Sequence, residues 1–374
     1  MQYKRMPIEV ESPEQMGYDK IRNNLSESSY TDLLLGDLGD LTNDLGKVLL
    51  CYGSHEGHEG LRELIASESD TLHKEDVLLT VGAAGALFII ASSLLEKGDE
   101  LVVVRPNYAT NIETPRAIGA SIKYLDLNFE DGFKINMEAL RKLVTKNTVY
   151  ISVTNPHNPT GVCLSDAEMK ELVAIATENG TWLLVDETYR DLAFGEKLPV
   201  ACDYSEKVIS VSSLSKAYGL PGIRVGWILC RDRRLMETFL AAKEQIHICG
   251  PVLDEELAWR FYRNKDRHFA PVRKDIGEKF GILTAWMNAQ EGLEWVEPGG
   301  GVVCFPRFRE PAKIGIDKFY EILLKKYGTY TGPGHWFEMP RHYMRIGFGW
   351  PTKEQLAEGL EAICKSLKEA SAGI

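Results

Sequence analysis

Seven short runs rich in Val, Ile and Leu alternate with helical patterns through the middle of this 374-residue chain. The runs cover 77–81, 101–104, 122–125, 149–153, 182–185, 208–211 and 225–229. They are continuous rather than alternating, as strands buried on both faces should be. Helical patterns at 137–144 and 166–178 lie between them. Strand, helix, strand over this length confines the chain to an α/β fold with a mostly parallel sheet.

The ends read differently. Residues 1–40 are polar with scattered turns. After about residue 265 come long helical patterns at 267–290 and 353–370, with short strands near 302–305 and 343–348. The expected division is a large domain over 41–265 and a smaller α+β domain made from both chain ends, 1–40 and 266–374.

Charge and cysteine content exclude several classes of function. Lys plus Arg is 43 against 54 for Asp plus Glu, a formal net charge of −11. Phosphate-rich partners need positive fields, so neither nucleic acid nor a membrane surface is an expected partner. The seven cysteines are odd in number and none is spaced CxxC, which opposes a zinc cluster or a disulfide framework. The start, MQYKRMPIEVESPEQ, lacks the apolar stretch of a signal peptide, and 87–95 is too short to span a bilayer. No metal site and a cytoplasmic location are expected.

Four segments carry chemistry. In Val81-Gly82-Ala83-Ala84-Gly85-Ala86-Leu87 a strand ends, small residues turn the chain and a helix begins. Free N–H groups and the helix dipole make such a junction an anion site, although a tight packing turn looks the same. Asn155-Pro156-His157-Asn158-Pro159-Thr160-Gly161 follows a buried strand, where α/β proteins place ligands. It also reads as a turn capping the next helix. In Val185-Asp186-Glu187-Thr188-Tyr189 an acid ends an apolar strand and costs desolvation unless a cation meets it. An N-cap or ordinary ion pair is the plainer reading. In Ser213-Leu214-Ser215-Lys216 a lysine hemmed by small residues follows a strand, and Arg224 lies eight residues on. A lysine amine can form a Schiff base, and an arginine fork suits phosphate. Most lysines simply face water.

Taken in this order, the segments resemble the class I/II aminotransferases, pyridoxal 5'-phosphate (PLP) enzymes of fold type I, from about Tyr52 to Arg345. The resemblance implies a three-layer α/β/α large domain with a mostly parallel seven-stranded sheet beside a smaller α+β domain. Lys216 then matches the lysine bonded to the cofactor aldehyde. Asp186 matches the acid that keeps the pyridine nitrogen protonated, so the ring can act as an electron sink. Tyr189 and Asn158 match the pair on either side of the ring O3′, and Tyr108 the ring stacked on the pyridine. Ala83, Ala84, Ser213, Ser215 and Arg224 match the phosphate cup. Tyr52 matches the tyrosine that reaches the phosphate of a neighbouring subunit, which implies a homodimer with shared active sites. Arg345, in Met344-Arg345-Ile346-Gly347-Phe348, matches the arginine that grips the substrate α-carboxylate, with Asn158 beside it. Pro298-Gly299-Gly300-Gly301 and Pro333-Gly334-His335-Trp336-Phe337 match small-domain landmarks.

Some positions depart from the pattern or stay open. Either Gly36 or Gly39 could be the glycine that closes over the substrate. His157 reads as an ordered loop residue, and His55 and His58 as candidates for the substrate entrance. Asp37 and Asp40 read as solvated loop acids.

The activity implied is transfer of an amino group between an amino acid and a 2-oxo acid by a ping-pong mechanism through an aldimine at Lys216. A lyase, cyclase, decarboxylase or oxidase on the same fold is the alternative, because the resemblance does not fix which Cα bond breaks. A PLP-sensing regulator is a third reading, opposed by the absence of a preceding basic segment. Dicarboxylate-specific relatives often carry a second arginine shortly before a segment like Cys249-Gly250-Pro251, where this chain has Glu244-Gln245-Ile246-His247. An uncharged polar, aromatic or cationic amino acid is therefore expected, with Glu27 and Glu244 favouring the cationic case.

Overall fold

The computed structural model describes residues 1–371. Strand β1 (Asn23–Leu25) comes first. The seven expected strands follow as β2 (Val77–Val81), β3 (Glu100–Arg105), β4 (Ser121–Asp126), β5 (Thr148–Thr154), β6 (Trp182–Asp186), β7 (Val208–Ser213) and β8 (Val225–Cys230). They form one sheet in the order β2-β8-β7-β6-β5-β3-β4. β8 runs antiparallel to both neighbours, and every other pair is parallel.

Successive residues of the strands face separate cores, which is why the apolar residues do not alternate with polar ones. Leu79, Val102, Ile151 and Val185 belong to one core; Leu78, Leu101, Tyr150 and Leu184 belong to the other. Helices Gly82–Leu94, Thr110–Ile118 and Arg233–His247 cover the second core, and Asp166–Asn179 and Val252–Tyr262 the first. The chain thus has the three-layer α/β/α arrangement. Local chemistry sets the helix ends. Ser165 accepts from the Glu168 backbone N–H (3.2 Å), and the Glu168 carboxylate accepts from the Ser165 N–H (2.7 Å). That reciprocal pair starts Asp166–Asn179, and Gly180 at φ +70° ends it.

Five further strands complete the fold: β9 (Leu293–Glu294), β10 (Val303–Cys304), β11 (Arg307–Phe308), β12 (Thr329–Pro333) and β13 (Met344–Gly347). β9 pairs with β11, and the second sheet runs β1-β12-β13-β10. The reading of 1–40 as turns misses β1, and β12 was not anticipated either. β1 is wholly buried although two of its three residues are asparagines. Its parallel pairing to β12 accounts for part of this, because Asn23 Nδ2 donates to Thr329 Oγ1 (3.2 Å), while Asn23 Oδ1 and Asn24 Nδ2 are buried without a partner among the described residues. The long helices Lys265–Asn288 and Lys353–Ser371 pack together beside this sheet. Among the described residues no helix is long and apolar enough to cross a membrane.

The carboxyl ends of β2, β3, β5, β6 and β7 share one edge of the large sheet, and β8 begins there. Sites in open α/β sheets form at such an edge.

Candidate active site

A cavity of about 460 Å³ opens at that edge. Ala83, Ala84, Tyr108, Asn158, Asp186, Tyr189, Ser213, Ser215, Lys216, Arg224 and Arg345 all line it. Tyr52 does not; it lies on the surface, 80% exposed.

Asp186 ends β6 and is buried. Thr188 donates its backbone N–H (3.0 Å) and its hydroxyl (2.6 Å) to the same carboxylate oxygen, Oδ1. Oδ2 is left without a donor among the described residues. Burial raises the Asp186 pKa, while the Thr188 bonds and the Lys216 charge oppose the rise. Lys216 lies three residues beyond β7, and its Nζ donates to Ser28 Oγ (3.2 Å). Desolvation lowers its pKa, which favours the free amine, and Glu27 acts the other way.

Tyr189 donates its hydroxyl to the Ser28 carbonyl (2.6 Å), and burial pushes its pKa up to about 12. Arg345 is 3% exposed on β13. Its Nη1 donates to Asn158 Oδ1 (3.1 Å) and its Nη2 to the Ser26 carbonyl (2.7 Å). Its Nε is buried without a partner. Its guanidinium lies 5.0 Å from the centre of the Phe337 ring.

Backbone geometry crowds the junction after β2. Gly82 has φ +69°, and a Cβ there would sit 2.5 Å from Arg224 Nη2. A Cβ on Gly226 would sit 2.5 Å from the Gly82 carbonyl carbon and 2.7 Å from Ala83 N. Only glycine lets strand, turn and arginine approach this closely. Arg224 also donates to the Pro221 carbonyl (2.8 Å).

The histidines lie away from the chemistry. His157 is buried, with Nε2 donating to the Pro106 carbonyl (2.9 Å) and Nδ1 accepting from Thr160 (2.8 Å). Burial lowers its pKa to about 4. His55 pairs with Glu244 (2.6 Å), and His58 caps Glu59–Ala66 by accepting from Leu61 N (3.2 Å). None of His55, His58 and Glu244 lines the cavity, and neither do Gly36 or Gly39.

The N-terminal wall is made instead by Ser26, Glu27 and Ser28, just beyond β1. Ile8, Glu9, Ser12, Pro13 and Glu14, from the short helices Pro7–Val10 and Pro13–Met16 and the link between them, also line it. Thr154, Thr188, Pro221 and Trp336 complete the lining that sequence reasoning did not single out as site residues. For the N-terminal residues the sole local signal is a proline opening each short helix, which marks a helix start and no chemistry.

The family model described as aminotransferase class I and II matches residues 22–363. Capreomycidine synthase of Streptomyces vinaceus is 30% identical over 358 residues, covering 94% of this chain and 91% of its own. A PLP-dependent aminotransferase from Streptococcus suis 89-1591 superposes with a TM-score of 0.91 at 28% identity, with 99% of each chain covered. The PLP-dependent cyclase OrfR superposes with a TM-score of 0.88 at 30% identity, covering 99% of this chain and 98% of that one.

Proposed function

Because the chain belongs to the class I and II aminotransferase family, whose members use PLP, we propose that it moves an amino group from an α-amino acid to a 2-oxo acid. The observation that carries this reading is one cavity lined by Lys216, Asp186, Arg224 and Arg345 together. On this reading the cavity lies between a large domain of residues 41–265 and a smaller one of 1–40 and 266–374, since both sheets contribute to its lining.

The residues fit the cofactor on three counts. The glycine-lined cradle at Gly82 and Gly226 beside Arg224 suits a phosphate. The buried Asp186 carboxylate with an unpaired oxygen suits a protonated pyridine nitrogen. The cavity volume suits a small cofactor with substrate. Arg224, the N–H groups at Ala83 and Ala84, and the hydroxyls of Ser213 and Ser215 would hold the phosphate. Tyr108 would cover the ring, with Tyr189 and Asn158 at its O3′.

When bound, PLP supplies an electron sink for the pair left at the substrate Cα. Asp186 holds a proton at the pyridine nitrogen through its negative charge. Arg345 orients the α-carboxylate by a bidentate fork, and its free Nε supplies one donor. Lys216 Nζ takes the Cα proton as general base, a role its lowered pKa favours.

A second reading, cyclisation or elimination without net amino transfer, is favoured by the similarity to capreomycidine synthase and to the cyclase OrfR. One experiment separates the two. Holoenzyme given one amino acid and no acceptor should convert it only in proportion to enzyme and restart when a 2-oxo acid is added. Continuous turnover without acceptor would replace transamination by the second reading.

A homodimer belongs to the proposal. Leu34, Leu35, Leu49, Leu50 and Tyr52 are all exposed in one stretch of chain, and apolar surface of this kind marks interfaces. Mixing Tyr52→Phe subunits with Lys216→Ala subunits should raise activity above the average of the two homodimers. The absence of that rise, or a monomer in sedimentation, would remove the shared site. The seven unpaired cysteines support a reducing, cytoplasmic setting.

A further inference from the structure

We propose that the side-chain end of this cavity takes an amino acid bearing a cation, a guanidinium or an ammonium, with Glu27 as its partner and Glu9 and Glu14 at the mouth. The proposal rests on the amino-acid reading above and names its substrate class. It begins with the buried Arg345, whose Nε has no partner. A buried donor left unpaired is costly, so this wall is built for an anion such as an α-carboxylate.

The cavity's other charges then sort themselves. Arg224 serves the phosphate, Lys216 the cofactor aldehyde and Asp186 the pyridine nitrogen. What remains on the lining is Glu9, Glu14 and Glu27; Lys216 and Arg345 act on Glu27 from a distance, but on this reading the cofactor and the α-carboxylate engage both. Among the described residues none of the three forms an ion pair with a side chain. Glu27 has one side-chain hydrogen bond, from the Tyr18 hydroxyl (3.2 Å).

Glu27 is placed to read a side chain. It follows Ser26, whose carbonyl accepts from Arg345 Nη2 (2.7 Å), and precedes Ser28, whose Oγ accepts from Lys216 Nζ (3.2 Å). An amino acid between Arg345 and Lys216 therefore lies against the segment that carries Glu27. Burial raises the Glu27 pKa and Glu14 adds to the rise, while the Lys216 and Arg345 charges and the Tyr18 hydrogen bond oppose it. The carboxylate therefore keeps a net cost of burial that a substrate cation in contact with it would relieve. An acidic side chain would meet repulsion from the same group. Glu244, the other acid that favoured a cation from sequence, is paired with His55 off the lining.

Matched pairs of substrates test this in the holoenzyme. Arginine and citrulline differ in charge with nearly the same shape, and so, more loosely, do lysine and norleucine. The expected kcat/KM ratio, cationic over neutral, is about 10 or more in each pair, the size of one charge-assisted hydrogen bond. Glu27→Gln should bring the ratio to within about threefold, and Glu27→Asp should restore part of it. A merely structural Glu27 would lower both members of a pair equally. Equal kcat/KM for arginine and citrulline in the wild type, or an unchanged ratio in Glu27→Gln, overturns the proposal while leaving the amino-acid reading in place. No reaction with any amino acid overturns that reading instead.

Discussion

Asp186 and Ser213 are the last residues of their strands in the large sheet, and Lys216 lies three residues beyond one. Ser26, Ser28, Trp336 and Arg345 reach the same cavity from the region of a four-stranded sheet drawn from both chain ends. On the proposed reading the first group is the cofactor half and the second the substrate half. In the cofactor half each group is placed by a local rule: a buried strand ends, and the next few residues project from the sheet edge. In the substrate half the placement is tertiary. Arg345 binds Ser26 and Asn158, more than a hundred residues away in each case. Chemistry common to all substrates belongs on the rigid half, and selection among them on the half assembled from separate segments.

Changes in the cofactor half should therefore lower kcat for every amino acid alike. Lys216→Ala is expected to have the largest effect, a fall of at least about 10³-fold, since on the proposed reading it removes both the cofactor's attachment and the base at Cα. Stopped-flow and steady-state rates with several amino acids would measure it. Activity within tenfold of wild type would move the base elsewhere. Asp186→Asn keeps an oxygen for Thr188 but loses the charge. Each pKa unit lost at the pyridine nitrogen is worth about 1.4 kcal/mol, so a fall of about 10²-fold in kcat is expected. A loss confined to one class of amino acid would break the division between halves.

The loop between β5 and Asp166–Asn179 offers a test by acidity. His157 is held neutral there, its pKa lowered from 6.5 to about 4 by burial. The unfolded chain thus binds a proton that the folded chain refuses between those values. Stability from this group is complete above pH 6.5 and is lost as pH falls toward 4, by roughly 3 kcal/mol. Denaturant melts of wild type and His157→Gln across that window should converge as pH falls. Parallel curves would show that His157 does not set the acid limit of the loop.

How far the sequence discloses each half follows the same split. Six of the seven large-sheet strands stand out because they are buried on both faces; β4, the half-buried edge strand, is marked by its Ile122, Tyr124 and Leu125, and the residues at the strand ends follow by position. β1 does not stand out, because Asn23 and Asn24 are buried only through the pairing with β12. Gly36 and Gly39, read as candidates for the closing glycine, do not line the cavity, and Ser26, Glu27 and Ser28, just beyond β1, do. The lining from Ile8 to Glu14 was unreadable for a similar reason. Helices of four residues have no periodicity to detect, and their position depends on contacts with distant residues.

In the substrate half, effects should fall on KM, alike for every amino acid where the α-carboxylate is held and differently among them at the side-chain end. Arg345→Ala removes a buried bidentate donor worth about 1.5–3 kcal/mol, so KM should rise about 10- to 100-fold. Arg345→Lys should recover only part of it, since an ammonium lacks the fork. An unchanged KM would place the α-carboxylate elsewhere.

The smallest expected effect tests the N-terminal segment as part of the substrate half. Gln2 N donates to the Ala117 carbonyl (3.0 Å), on the helix Thr110–Ile118 beside the large sheet. Nine residues later the Glu11 carboxylate accepts from His335 Nε2 (2.9 Å) and Trp336 Nε1 (2.7 Å). The Tyr330 hydroxyl donates to the Glu11 carbonyl (2.9 Å). The segment is thus tied at both ends, with Ile8 and Glu9 on the cavity wall between the ties. Glu11 is partly exposed, so its pairing with His335 contributes at most about 1 kcal/mol. Glu11→Gln keeps an acceptor for one donor and loses the charge. KM should rise about two- to fivefold, most for the substrate whose side chain reaches Glu9, with kcat unchanged. If kcat fell equally for every amino acid while KM held, the segment would be positioning the cofactor, and the boundary between the two halves would have to be redrawn to include it.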